Sequence, residues 1–299
     1  MKKAFFIACI LLASACAADE ENGTSETGSD SGSEQPTGLI NAIAVDVAGV
    51  EREYNLYIPS TAPDGPMPLL MAFHGGSGRD YPYPQQTKFQ QLAETEGFLI
   101  VYALAELLPG NEGEWQLNTD SNSRQDIDYI EAIIDQIDSR FSLDNNKIYA
   151  TGYSLGSMFT YELACHLSSR FAALASHAGT MPVSPNSCVQ ESNVAIMHLH
   201  GSADSIISYD FEWDWKEWDS VGTMMDVPAL IEFWKTQYNC QNESERETSS
   251  STNTVHFDCD EDVRVEHHRI TGEDHEWPET IGGVATTEVI WTFLNSFSK

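Results

Sequence analysis

The ten residues Lys147-Ile-Tyr-Ala-Thr-Gly-Tyr-Ser-Leu-Gly156 constrain this chain more than any other stretch. A β-branched and aromatic run, the composition of a buried strand, passes without a loop into Gly152-x-Ser154-x-Gly156 and then into a segment of helical character. A serine on so abrupt a turn between strand and helix must hold a strained backbone. Its neighbours must be glycine, because a Cβ would collide with the adjoining strand or helix. The strain lifts the Ser154 hydroxyl clear of the sheet. The pattern alone is loose, and a serine in a turn is commonplace, so the rest of the chain decides what this one is for.

The remaining residues supply a sheet for that turn. Residues 52–58 alternate, with Tyr54, Leu56 and Ile58 on one face as in a half-buried strand, and Pro59 closes the run. Residues 68–74 and 98–102 are continuous apolar runs, the form of strands covered on both faces. Ile127, Ile130, Ile134 and Ile137 recur at helical spacing, which predicts a crossover helix over 124–140. Further strands are expected at 172–178, 194–200 and 263–270. Helices are expected at 226–238, with Asp226 as N-cap and Pro228 in the first turn, and at 283–297. Strands alternating with helices imply a mostly parallel sheet with helices on both faces, an α/β fold of the α/β-hydrolase type.

Two polar residues follow the serine in a telling order. The apolar run 194–200 stops at Gly201-Ser-Ala-Asp204, and the run 263–270 leads into Gly272-Glu-Asp-His275, so each ends in a loop just past a strand's carboxyl end. Chemistry in open α/β sheets gathers at those ends. Ser154, Asp204 and His275 are therefore the candidate nucleophile, orienting acid and base, with Asp210 and Asp274 as nearby competitors for the acid. Acyl transfer also generates an oxyanion. The N–H of Leu155 and one from the glycine turn at 75–78 are its candidate donors, Gly76 first, with Gly75 and Ser77 as alternatives.

Tyr153, Trp277 and Trp213 are the candidate substrate contacts. Trp213, Trp215 and Trp218 stand in an acidic segment and read either as an aromatic wall or lid beside Asp204 or as core. His198 and His200 share a face of one expected strand, the beginning of a metal pair, but no third ligand is apparent and no C-x-x-C spacing occurs. His267 and His268 are adjacent and point to opposite faces. Neither a metal nor another cofactor is expected.

Residues 1–15 read as an export signal, with Lys2 and Lys3, the apolar 4–13, and small residues before Cys16. The segment is too short to span a membrane. Cys16 is a candidate lipid acceptor, which would place the protein on an outer membrane or cell surface. Simple cleavage would leave it secreted or periplasmic. Residues 16–38 form an acidic Gly/Ser-rich tether, and 39–299 a single domain, so any membrane contact runs through the N-terminal lipid. No polymer-binding module is expected after the last helix.

With 46 acidic against 15 basic residues the formal charge is -31, which makes nucleic acid and anionic lipid poor partners. Of six cysteines, Cys9 is lost with the signal and Cys16 is modified or lost, and the remaining four allow three disulfide connectivities. Cys165 with Cys188 and Cys240 with Cys259 is the favoured set, since each pair closes a local loop.

The chain resembles a known family at Arg52-Glu-Tyr-x-Leu-Tyr-Ile-Pro59, Phe73-His-Gly-Gly76, Gly152-Tyr-Ser-Leu-Gly156, Arg170-Phe-Ala-Ala173, His198-Leu-His-Gly-Ser-Ala-Asp204 and His275-x-Trp-Pro278. These residues look like those of the secreted esterases of the polyhydroxybutyrate depolymerase and feruloyl esterase family, from about Arg52 to the C-terminus. The resemblance implies a serine esterase acting on carboxylic esters with the same Ser154, Asp204 and His275, and it supports both cysteine pairings. Feruloyl-type esters or short hydroxyacid oligomers are the expected substrates, with an extracellular polyester depolymerase as the alternative. A peptidase of the same fold and an inactive binding protein are the remaining rivals. Three positions depart from the family: Gly272-Glu-Asp replaces a glycine-rich stretch before the histidine, Leu155 follows the serine, and 210–225 is rich in tryptophan.

Overall fold

The computed structural model describes residues 36–61, 65–76, 83–107, 113–120, 122, 124–185, 188–214 and 222–299. The expected export segment, Cys16, most of the expected tether, Ser77, Trp215 and Trp218 lie outside the described residues.

Ten strands form one sheet. They are β1 (Gly38–Val47), β2 (Val50–Ile58), β3 (Met67–Phe73), β4 (Leu99–Ala103), β5 (Leu143–Tyr153), β6 (Ala173–His177), β7 (Ala195–Gly201), β8 (Asn242–Glu247), β9 (Ser251–Phe257) and β10 (Val265–Ile270). Their order across the sheet is β1-β2-β4-β3-β5-β6-β7-β10-β9-β8. The strands from β4 to β10 in that order are parallel to one another, and an antiparallel pair extends each edge. The chain leaves β3 to build β4 on one side and returns to lay β5 on the other. That reversal opens a crevice outside the carboxyl ends of β3 and β5, where open sheets bind ligands.

The helices are α1 (Gln86–Glu96), α2 (Gln125–Asp138), α3 (Leu155–His166), α4 (Val227–Gln237) and α5 (Thr286–Leu294). Alternation along β5 shows that they cover both faces of the sheet. Gly152 lies against Gly156 of α3, whereas Tyr149, an odd number of residues away, meets Trp291 of α5 at 5.8 Å and donates its hydroxyl to the Phe297 carbonyl. The inner parallel strands β3 and β4 are apolar because both their faces are covered, and all five residues of β4 are buried. Asp226 caps α4, its carboxylate accepting from the Ala229 N–H at 2.7 Å, with proline in the first turn. Both disulfides are present, Cys165–Cys188 and Cys240–Cys259.

The last helix is shorter than the expected 283–297. Residues Thr280–Ile281 and Val284–Ala285 pair instead as a small hairpin, and α5 starts only at Thr286. The cause is the glycine pair between them. Gly282 and Gly283 both have positive φ, the conformation of a tight primed hairpin turn, which no helix contains. Strands β1, β8 and β9 were not expected at all. In β8 every residue of Asn-Glu-Ser-Glu-Arg-Glu is exposed, so it carries no apolar periodicity to read.

Candidate active site

Ser154 joins β5 to α3 with φ 55° and ψ -120°, a region a residue with a side chain rarely occupies and that costs about 1–3 kcal/mol. The flanking glycines permit it. A Cβ on Gly152 would lie 2.1 Å from the Gly156 carbonyl oxygen, and one on Gly156 would lie 2.2 Å from the Phe73 carbonyl oxygen, so helix and strands touch through bare backbone. The Ser154 N–H is tied to the His177 carbonyl of β6 at 2.9 Å.

The loops after β7 and β10 bring the other two residues to this turn. His275 Nε2 is 2.9 Å from Ser154 Oγ, and His275 Nδ1 is 2.8 Å from Asp204 Oδ2. The carboxylate accepts only, so Nδ1 carries the proton and Nε2 of the neutral ring is left to accept from the serine. Asp204 Oδ1 in turn accepts from the N–H groups of Ile206 (2.9 Å) and Ile207 (2.7 Å). Burial alone would raise the Asp204 carboxyl. Hydrogen bonds from His200, His275 and the Ile207 amide outweigh that and hold it well below the usual carboxylate range. Asp274 accepts from the N–H groups of Ser205 and His275 and so braces the loop, while Asp210 is exposed; neither takes the place of Asp204 beside the imidazole.

Leu155 is the first residue of α3, so its N–H has no acceptor within the helix. The turn after β3 lies over it: a Cβ on Gly75 would be 3.2 Å from Ser154 Cβ, and one on Gly76 3.6 Å from Leu155 Cδ2. His74 orients this turn. The Ala105 N–H donates to His74 Nε2 at 3.2 Å, so the proton sits on Nδ1 and is given to the Gly75 carbonyl at 2.7 Å. In a planar trans peptide the Gly76 N–H points the opposite way from that carbonyl, and its direction is thereby set. Trp115 Nε1 donates to the His74 carbonyl at 2.9 Å. Sequence reasoning missed both residues. The one available signal was a histidine directly between an apolar strand and a glycine pair.

Aromatic rings surround the triad. The Tyr153 hydroxyl donates to the His275 carbonyl at 2.8 Å, and its ring lies 5.3 Å from the imidazole. Burial, with the nearby carboxylates of Asp204, Glu276 and Asp274, pushes its phenol up to about 12. Trp277 meets His177 edge-on at 4.9 Å and Tyr83 at 5.5 Å. Its Nε1 and His177 Nδ1 are buried polar atoms with no hydrogen-bond partner among the described residues. Trp213 is half-buried. Its indole N–H reaches Thr180 Oγ1 at 3.3 Å, next to Gly179, where a Cβ would come within 2.5 Å of the Ser154 carbonyl oxygen. His198 and His200 do share a face, and their ring nitrogens meet each other at 3.1 Å. His267 and His268 are both buried, beside Tyr209 and Glu266 respectively.

Residues 52–230 match the family described as Esterase PHB depolymerase. The chain belongs to that family. Among curated proteins, a bifunctional acetylxylan esterase/xylanase from Neocallimastix patriciarum is 26% identical over 259 residues, covering 84% of this chain and 34% of the relative. Feruloyl esterase B from Piromyces equi is 22% identical over 238 residues, covering 79% of this chain and 43% of the relative. The chain thus spans about a third to under half of the length of these two relatives. Among solved structures, an acetyl xylan esterase from Aspergillus awamori superposes with a TM-score of 0.63 at 15% identity, over 86% of this chain and 98% of that one. A thermostable esterase gives 0.53 at 17% identity over 87% of this chain and 63% of that one. The fold of this esterase-family chain is the α/β serine-hydrolase fold.

Proposed function

We propose that the protein is an exported serine esterase in which Ser154 is the nucleophile, His275 the base and Asp204 the residue that holds the imidazole. The observation that carries this reading is the continuous hydrogen-bonded line from Ser154 Oγ through both nitrogens of His275 to Asp204, mounted on a strained elbow. His275 takes the serine proton as Oγ attacks the ester carbonyl, then delivers it to the departing alkoxide. Water repeats the sequence on the acyl-enzyme and releases the acid. The N–H groups of Leu155 and Gly76 meet the oxyanion, a contribution of roughly 3–4 kcal/mol per donor in enzymes where it has been measured.

The substrates we assign are soluble esters of small acyl or hydroxycinnamoyl groups, or soluble hydroxyacid oligomers, in preference to polymer film. Support comes from the acetylxylan and feruloyl esterase relatives and from the Tyr153–Trp277 rings beside the triad, which suit a planar acyl or sugar group. Polyester depolymerase is the second reading, favoured by the family description. The two disulfides fit an oxidising compartment, and attachment through Cys16 is part of the same proposal.

Ser154→Ala is expected to lower 4-nitrophenyl acetate turnover by roughly four to six orders of magnitude with an unchanged circular dichroism spectrum. Turnover near that of the parent protein overturns the mechanism. Acetylated xylan, methyl ferulate, hydroxybutyrate oligomers, a peptide panel and polymer film compared at equal enzyme concentration settle the substrate class, and film hydrolysis matching the soluble esters transfers the assignment to the second reading.

A further inference from the structure

Directly behind Asp204 lies a line of buried polar side chains that the mechanism above does not use. Tyr161 of α3 and His198 and His200 of β7 are all buried to 1% exposure or less. Tyr161 Oη is 2.7 Å from His198 Nδ1, and His198 Nε2 is 3.1 Å from His200 Nδ1. His200 Nε2 is 3.0 Å from the Ile207 carbonyl and 3.2 Å from Asp204 Oδ2. Strand β7 is otherwise apolar at Ala195, Ile196, Met197 and Leu199, and polar groups placed in such a core are costly unless each is satisfied.

The proton positions follow from the far end of the line. The Ile207 carbonyl and the Asp204 carboxylate can only accept, so His200 Nε2 carries a proton directed at both. In a ring carrying that single proton the lone pair is at Nδ1 and accepts from His198 Nε2–H. His198 Nδ1 is left as an acceptor and takes the Tyr161 hydroxyl proton. Every donor in the line points toward Asp204. Burial, and the neighbouring rings of His200, His267 and His177, hold His198 well below the ordinary histidine range, in keeping with a neutral relay. Reversing the line in singly protonated rings would turn a bare His200 nitrogen toward two acceptors.

We propose that His200, its tautomer locked by His198 and Tyr161, is a positioning residue for Asp204. The oxygen that holds His275 is then itself held by a second imidazole, while the Ile206 and Ile207 amides hold the other oxygen. The carboxylate has no freedom to rotate away from the base. Tyr161 lies on α3, directly after the elbow, so the helix that presents Ser154 also anchors the support of the acid. This inference rests on the Ser154, His275 and Asp204 assignment.

The test measures kcat and KM for 4-nitrophenyl acetate, well below each melting temperature, in His200→Leu, His200→Gln, Tyr161→Phe and Ser154→Ala. Outer-shell hydrogen bonds that orient metal-bound ligands cost about 10–100-fold when lost, and a loss of the same order in kcat, with KM within about twofold, is expected of His200→Leu. His200→Gln places an amide N–H near the lost Nε2–H and should recover most of the loss. Tyr161→Phe should lose a few-fold. The far-downfield proton resonance between His275 and Asp204 should move in His200→Leu and return in His200→Gln. Parent-like kcat and an unmoved resonance in His200→Leu, with Ser154→Ala inactive, overturn the positioning role alone. An active Ser154→Ala overturns the triad reading beneath it. Should the leucine variant not fold, an unmoved resonance in Tyr161→Phe is the result that refutes the relay.

Discussion

Acid should unfold this protein through its histidines before its carboxylates matter. His177 and His267 are buried and face other histidines: His200 and His275 around the first, His200, His268 and His256 with Arg269 around the second. Burial first, and these positive or protonatable neighbours second, push both down to about 3. In the unfolded chain each returns to about 6.5. The native state therefore resists protons that the unfolded state takes up, so this share of stability is intact above pH 6.5 and is lost as pH falls toward 3. At pH 5 the loss is about 2 kcal/mol per histidine, or about 4 kcal/mol for the two, and His198 adds in the same direction. That is a large fraction of the roughly 5–15 kcal/mol by which a domain is stable. Relief of repulsion among the 46 acidic residues acts the other way, but it begins only where carboxylates titrate, near pH 4. Urea unfolding at half-unit steps from pH 7.5 to 4.5 should give a slope that starts near zero and steepens to about two to three protons bound on unfolding near pH 5. A midpoint that stays flat between pH 7 and 5 would refute the reasoning.

Gly156→Ala forces a Cβ to 2.2 Å from the Phe73 carbonyl oxygen, which neither backbone can yield without parting α3 from β3. The variant should lose activity and unfold at markedly lower urea; a parent-like midpoint would contradict the close packing of the elbow. Reducing the two disulfides, which close loops spanning 23 and 19 positions, should cost about 2–4 kcal/mol each, read as a shift in urea midpoint with and without reductant.

The site was legible wherever a residue ends a strand. Ser154, Asp204 and His275 each follow a run read as a strand, and the common direction of β5, β7 and β10 carries their ends to one rim, so strand ends in the sequence become neighbours in space. What stayed hidden is relational. His74 orients the candidate oxyanion turn only because the chain at Ala105 returns to its Nε2, a contact 31 residues away that no local pattern encodes. His198 and His200 were visible as a same-face pair, yet the alternation that suggested a metal cannot reveal that a carbonyl at Ile207 and a tyrosine on α3 lie at either end of them. The hairpin of β8 and β9 escaped because β8 is exposed throughout and β9, though partly buried, is mostly polar, so neither carries a hydrophobic rhythm.

The antiparallel edge gives the sheet a handle as well as a border. Gly38 pairs with Ile58 at the end of β2 that runs alongside the start of β4, and the backbone N–H of Lys299 is bonded to the carbonyl of Asn146 near the start of β5. Both points lie at the amino ends of the parallel strands, whereas Ser154, Asp204 and His275 crown the carboxyl ends. A support coupled at Gly38 or Lys299 would therefore join the domain at the rim opposite the one that carries Ser154, Asp204 and His275.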